Sequence, residues 1–256
     1  MDSSRAPAAR GEARVGYLLL GAAFAVHAAV LLQYPVVGAA ENGDFWRVTR
    51  PAGIVAIDRY ADVHHQFVSQ HYGIAPWHLG EGFSSAALIA AASKPLRLGA
   101  PVMDIRQVGA TYLLRFAGVF ALALRAGVAP LCCGLLAWAA LDLSYALYFN
   151  SFCADPAALL GCLGIALALY TWEAPGAAAT RRRAQRAALV LAALLAGWSK
   201  RLYVFTPLLV AAVVVAWPRR DWRAHLRGAA GTIAALCIAA GLGIAHFTWG
   251  SGPRFP

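Results

Sequence analysis

Four side chains have the types and places to carry out a reaction together: Asp44, Asp155, Lys200 and Arg201. Asp44 lies in Glu41-Asn42-Gly43-Asp44-Phe45-Trp46-Arg47, where a long apolar run gives way to polar sequence. Asn42-Gly43 is a turn dipeptide, so Asp44 is expected to be held by a tight turn. Asp155 closes the short polar turn Asn150-Ser151-Phe152-Cys153-Ala154-Asp155-Pro156, and Lys200-Arg201 interrupts a late apolar run as Gly197-Trp198-Ser199-Lys200-Arg201. A carboxylate can take the proton from an acceptor hydroxyl as it attacks. Cations can stabilise the phosphate charge that develops on a leaving group. Two carboxylates and two cations at one membrane face therefore suit transfer from an anionic, lipid-linked donor whose tail lies in an apolar slot between helices. Each residue also has a plainer role. Asp44 can simply end a helix, Asp155-Pro156 can start one, and Lys200 and Arg201 can snorkel to headgroups.

The elements that would position these residues are membrane spans. Of 256 residues, 60% are hydrophobic and 13% charged, against about 45–50% and 25% in soluble domains. Apolar runs of about 18 residues or more recur, each long enough to cross a bilayer as a helix. The expected fold is all-α: a polytopic membrane helix bundle of about seven segments, forming one transmembrane module over residues 1–256. The net charge of +10 does not point to nucleic acid. The arginines cluster between alternate apolar runs, as in loops that orient a membrane protein, and no basic stripe is interleaved with aromatics.

Arg5, Arg10 and Arg14 place the amino terminus in the cytoplasm. The expected spans are 15–37, 107–124, 130–149, 157–170, 187–198 with 202–217, and 229–247. Residues 187–217 set the topology. One continuous span would put Arg181–Arg186 and the cluster Arg219, Arg220, Arg223 and Arg227 on opposite sides, whereas a hairpin broken at Ser199-Lys200-Arg201 keeps both inside. Its arms are about 18 and 24 Å long, and the carboxyl terminus falls outside. Arg10, Arg14 and Gly38-Ala39-Ala40 also resemble a cleavable signal peptide, but the apolar run exceeds the usual 7–15 residues or so. A retained first span is the preferred reading.

The external loop 41–106 is expected to hold two interfacial helices. In the first, Ile57, Tyr60, Ala61, His64, Phe67, Val68 and His71 share one face, with Asp58, Asp62, His65 and Ser69 opposite. Ser84–Ala92 forms the second, and Trp77 and Phe83 suit headgroup depth. His64, His65, His71 and Asp62 read as surface groups before a metal site. Glu81 and Asp104 have no specific role. Cys132, Cys133, Cys153, Cys162 and Cys237 give neither a disulfide framework nor zinc spacing. Arg115 and Asp142 fall inside spans, about 12–14 Å deep. Groups at that depth are usually paired or line a cavity, so a structural ion pair between the second and third spans is expected.

This layout resembles the GT-C superfamily of integral membrane glycosyltransferases, which use polyprenyl-phosphate-linked sugars. The acidic position of its first external loop matches Glu41-Asn42-Gly43-Asp44, followed by two interfacial helices. Asn42-Gly43-Asp44-Phe45, Met103-Asp104-Ile105-Arg106, Tyr148-Phe149-Asn150-Ser151-Phe152 with Asp155-Pro156, and Ser199-Lys200 are similar to a bacterial branch. The resemblance covers nearly the whole chain through short motifs. It implies Asp44 as catalytic base, Asp155 as a second acid or, in members that use a divalent cation, a metal ligand, and Lys200 and Arg201 as binders of the lipid phosphate. It further implies a lipid-linked sugar donor, a glycan, lipid or protein acceptor, and the bacterial inner membrane as location. Full-length members continue with more helices, so the expectation is the conserved seven-helix module alone. The rival readings are a transporter or flippase of a lipid-linked intermediate, with Arg115 and Asp142 along its path, and a truncated inactive membrane module.

Overall fold

The computed structural model describes residues 5–38, 45–57, 70–76, 84–172, 179–217 and 222–249. Among them, seven helices have eleven residues or more: α1 (Arg5–Leu32), α4 (Arg106–Arg125), α5 (Pro130–Ala140), α7 (Asp155–Tyr170), α8 (Ala179–Gly197), α9 (Thr206–Ala216) and α10 (Trp222–Trp249). Shorter helices are α2 (Phe45–Ala52), α3 (Ser85–Ser93) and the single turn α6 (Leu143–Ala146). Gly11–Leu32, Arg106–Arg125 and Trp222–Phe247 are each long and apolar enough to cross a membrane. The fold is an all-α membrane bundle.

Side-chain bonds show that consecutive long helices alternate in direction. At one end Arg181 donates to the Ala126 carbonyl and Arg186 to that of Gly228. There too, Gln185 Nε2 donates to the Thr171 carbonyl at 2.8 Å, and His225 Nε2 lies 2.8 Å from the Val214 carbonyl. This arginine end therefore collects the end of α4, the end of α7, the start of α8, the end of α9 and the start of α10. At the opposite end Asn150 Nδ2 donates to Leu31 O at 2.8 Å, Trp198 Nε1 to Ala239 O at 3.2 Å, and Arg201 to Phe247 O. α8 and α9 run in opposite directions on either side of the Arg201–Tyr203 turn, and Arg186 on α8 and Arg223 and Arg227 on α10 share the arginine end. α8 starts earlier than expected, at Ala179, because arginine is a good helix former and Arg181–Arg186 extend the helix.

Small residues set how closely these helices approach. A methyl added at Gly161 of α7 would stand 2.7 Å from Ala196 Cβ and 2.8 Å from the Ala192 carbonyl of α8. A methyl at Gly16 of α1 would overlap the Pro130-Leu131 backbone at the start of α5. Helices in lipid gain little from apolar burial against each other, and close backbone contact at small residues takes its place.

Two expectations are corrected, and a third falls mostly outside the described residues. The third span ends at Ala140 and not near Phe149. Asp142 then accepts from the Ser144 backbone at 2.9 Å and from the Ser144 hydroxyl, offering the chain a local turn in place of the next helical bonds. Residues 58–69 of the expected interfacial helix lie outside the described residues, and the segments beside them are strands. β1 (Ile54–Ala56), β2 (His71–Ile74) and β3 (Met103–Asp104) form an antiparallel sheet in that order, pairing Ile54 with Ile74 and Tyr72 with Met103. Gly53, at φ 62°, makes the turn from α2 into β1, a conformation that costs other residues. Lastly, α3 occupies almost the predicted residues, with the Ser84 hydroxyl capping the Ala87 N–H at 3.1 Å, but it is buried by protein and not laid on a surface.

Orientation across the bilayer has a direct test. Leu202 is 75% exposed at the hairpin tip and Ala184 is exposed at the arginine end. In a chain cleared of native cysteines, an impermeant thiol reagent is expected to label Leu202→Cys from outside and Ala184→Cys only after permeabilisation. The reverse pattern would invert the topology.

Candidate active site at one end of the bundle

The turn joining α6 to α7 carries Asp155 and is fixed from two directions. Asn150 is fully buried, and its Nδ2 donates to Leu31 O and Val37 O, both at 2.8 Å, tying the turn to the end of α1. Gly109 of α4 lies against the same side chain, with no room for a Cβ. Phe152 packs edge-on against Tyr72 of β2 at 4.8 Å and Phe45 of α2 at 5.8 Å, all three buried. Aromatic rings hold such offset arrangements with a preferred geometry. The short loop thus becomes a rigid mount for the first residue of α7.

Asp155 is that residue. Its Oδ2 lies 3.4 Å from Lys200 Nζ, and the Tyr203 hydroxyl donates to Oδ1 at 3.5 Å. The carboxylate and the ammonium are each about a third exposed, so the pair is neither sealed nor free in solvent. Lys200 reaches it because α8 stops at Gly197 and a 3-10 turn over Arg201–Tyr203 leads into α9. The tip is held by α3, where the Ser85 N–H donates to Trp198 O at 3.0 Å and its hydroxyl to Leu195 O at 2.7 Å.

The structure thus brings Asp155 and Lys200 together and adds Tyr203, which sequence reading missed. No local signal ties Tyr203 to a carboxylate 48 positions away. Arg201 shares the tip but its guanidinium donates to the Phe247 carbonyl near the end of α10, where a cation also suits the helix dipole. Asp44, Glu41 and Glu81 lie outside the described residues, as do His64, His65 and Asp62. Phe45, next in sequence to Asp44, is the residue packed on Phe152. Arg115 and Asp142 do not form the expected ion pair. Both are exposed, Asp142 bonds to Ser144, and Arg115 makes no hydrogen bond among the described residues. The described residues hold no group of three or more potential metal ligands.

Asp104 acquires a definite role. It accepts from Arg106 Nη2 at 2.6 Å, from the Arg106 N–H at 2.9 Å and from Gln70 Nε2 at 3.1 Å, fastening β2 and β3 to the start of α4. Burial raises the carboxyl, but the hydrogen bonds from Arg106 and Gln70 outweigh it and hold the group below its ordinary value. A depressed folded value stabilises the fold above the unfolded pKa, near 4, and that contribution disappears as pH falls through the folded value. Asp104→Asn is expected to cost about 1–2 kcal/mol at neutral pH and to flatten the loss of stability below about pH 4. Denaturation of purified protein between mildly and strongly acidic pH checks this, and an unchanged acid limb would contradict it.

Spanning helices that alternate in direction and gather a carboxylate, an ammonium and a phenol at one end define a polytopic membrane domain with a polar site at its rim. The chain belongs to the family described as the YfdI N-terminal transmembrane domain, which it matches over residues 8–248. No curated protein and no solved structure matches it.

Proposed function

We propose that the chain is the transmembrane module of a GT-C-type glycosyltransferase, moving a sugar from a polyprenyl-phosphate donor to an acceptor at the outer face of a bacterial inner membrane. The observation that carries this reading is the Asp155 carboxylate held between Lys200 and Tyr203 at the rim of the bundle. In the proposed reaction an acceptor hydroxyl attacks the anomeric carbon. The new carbon–oxygen bond forms as the bond to the phosphate oxygen breaks, and its electron pair leaves on the phosphate. The hydroxyl proton passes to the Asp44 carboxylate. Lys200 faces the charge that builds on the phosphate, and Asp155, itself bonded by the Tyr203 hydroxyl, holds the Lys200 ammonium in place. Arg201 supports the tip through Phe247 and adds positive potential beside it. Phe45, next in sequence to Asp44, packs on Phe152 of the turn that carries Asp155.

Lys200→Gln removes the charge and keeps a hydrogen-bonding side chain of similar length. It is expected to weaken binding of a polyprenyl phosphate in detergent or nanodiscs about tenfold, the equivalent of roughly 1.4 kcal/mol for a charge-assisted hydrogen bond. Unchanged affinity would remove Lys200 from the site.

A further inference from the structure

Arg115 and Asp142 are two charged residues that the mechanism does not use, and their places in the bundle are unusual. Arg115 is ten residues from the end of α4 at Arg125, about 15 Å, and nine from its start at Arg106, about 14 Å. It is exposed on the outside of the bundle and, among the described residues, makes no hydrogen bond or ion pair. A guanidinium midway through a core about 30 Å thick reaches neither surface easily by snorkelling, and charges at that depth persist when paired. Asp142 stands two residues past the end of α5, whose rise from Pro130, at the same end of the bundle as Arg125, to Ala140 is about 15 Å. It too is exposed; among the described residues its hydrogen bonds come from Ser144, and the His27 imidazole of α1 also acts on it electrostatically. Opposite charges thus occupy closely similar depths on the outer surfaces of consecutive helices without meeting.

Each charge sits on a stripe that fits another helix. On α4, Arg115, Gly118 and Leu122 share one exposed face, and a methyl built at Gly118 meets nothing within 4 Å. On α5, Leu135 and Ala139 are exposed in the turns that precede the chain's bend to Asp142. Small residues flanked by leucine are what close helix approach in lipid requires.

We propose that these two stripes are the docking face for a second copy of the chain, in which Arg115 of each copy meets the partner's Asp142. A two-fold axis along the membrane normal forms this contact twice, because the same patch serves both copies. Complementary charge is already present within one sequence, which favours a second copy over an unrelated helix as the occupant.

The test uses two differently tagged full chains co-expressed in membranes and captured in mild detergent. Wild-type copies are expected to capture each other. Arg115→Asp in both copies, or Asp142→Arg in both, places like charges together at depth and is expected to reduce capture about tenfold or more. An Arg115→Asp copy expressed with an Asp142→Arg copy is expected to restore it, since every contact is then opposite in charge. A second readout leaves the charges alone: in a cysteine-free chain, a Gly118→Cys copy is expected to form a disulfide with an Ala139→Cys copy on mild oxidation. Absence of wild-type capture and of that cross-link would overturn the proposal. So would capture indifferent to charge reversal, or loss of a different membrane protein on reversal while the copies stay separate.

Discussion

Asp44→Asn is expected to fold normally, bind the lipid-linked donor and lose sugar transfer by about 10²–10⁴-fold, the usual contribution of a general base. The substitution preserves shape and hydrogen bonding and removes a group with an ordinary pKa near 4. Phe45, the next residue, has its aromatic contacts with Phe152 and Tyr72, and the substitution leaves those rings untouched. The expected split is therefore lost turnover with donor affinity retained. Transfer assays on the longest natural form of the protein, run beside donor-binding measurements, read the two effects separately. Transfer at the wild-type rate would remove Asp44 from the mechanism, and loss of donor binding would reassign it to the donor site.

Gly161→Leu is expected to have the largest effect on the fold, destabilising it by about 3 kcal/mol through overpacking. The added side chain has to fit where even a methyl already stands 2.7 Å from Ala196 Cβ. The damage reaches the site, because α7 begins at Asp155 and α8 leads to Lys200. Gly161 is six residues, about 9 Å, below Asp155. Prying α7 from α8 should separate the carboxylate from the ammonium and weaken polyprenyl-phosphate binding together with thermal stability. Gly21→Leu is the control, since nothing lies within 4 Å of a Cβ there. Equal stability of the two variants would show that α7 and α8 do not depend on close approach.

The bundle was legible because its signals are long. Apolar runs of span length and paired arginine clusters determine which ends of helices lie together, and so Lys200 could be placed near Asp155 from sequence. Shorter features left no comparable trace. The three strands have two to four residues each, too few for alternation to show. Phe45–Ala52 carries two arginines and an internal proline and reads as loop, yet its burial against Phe152 and Tyr72 makes it a helix. Asp142 was misplaced because a depth was counted along a helix that stops at Ala140, where its own carboxylate turns the chain. Asn150 was visible as part of a motif, but its clamp on Leu31 and Val37 spans more than a hundred residues. Tyr203 and Gln70 were missed for the same reason. Each acts on a carboxylate that only the fold brings near.

The fate of the donor tests the central claim most directly. A polyprenyl-phosphate sugar, labelled in the sugar and supplied on one leaflet of proteoliposomes holding the protein, can be followed for two products. The account predicts cleavage at the anomeric carbon, with label passing to an added acceptor, lipid phosphate released, and both suppressed by Lys200→Gln and Asp44→Asn. Intact donor appearing on the opposite leaflet, with no label released from the lipid, would contradict it and make the chain a carrier of its lipid.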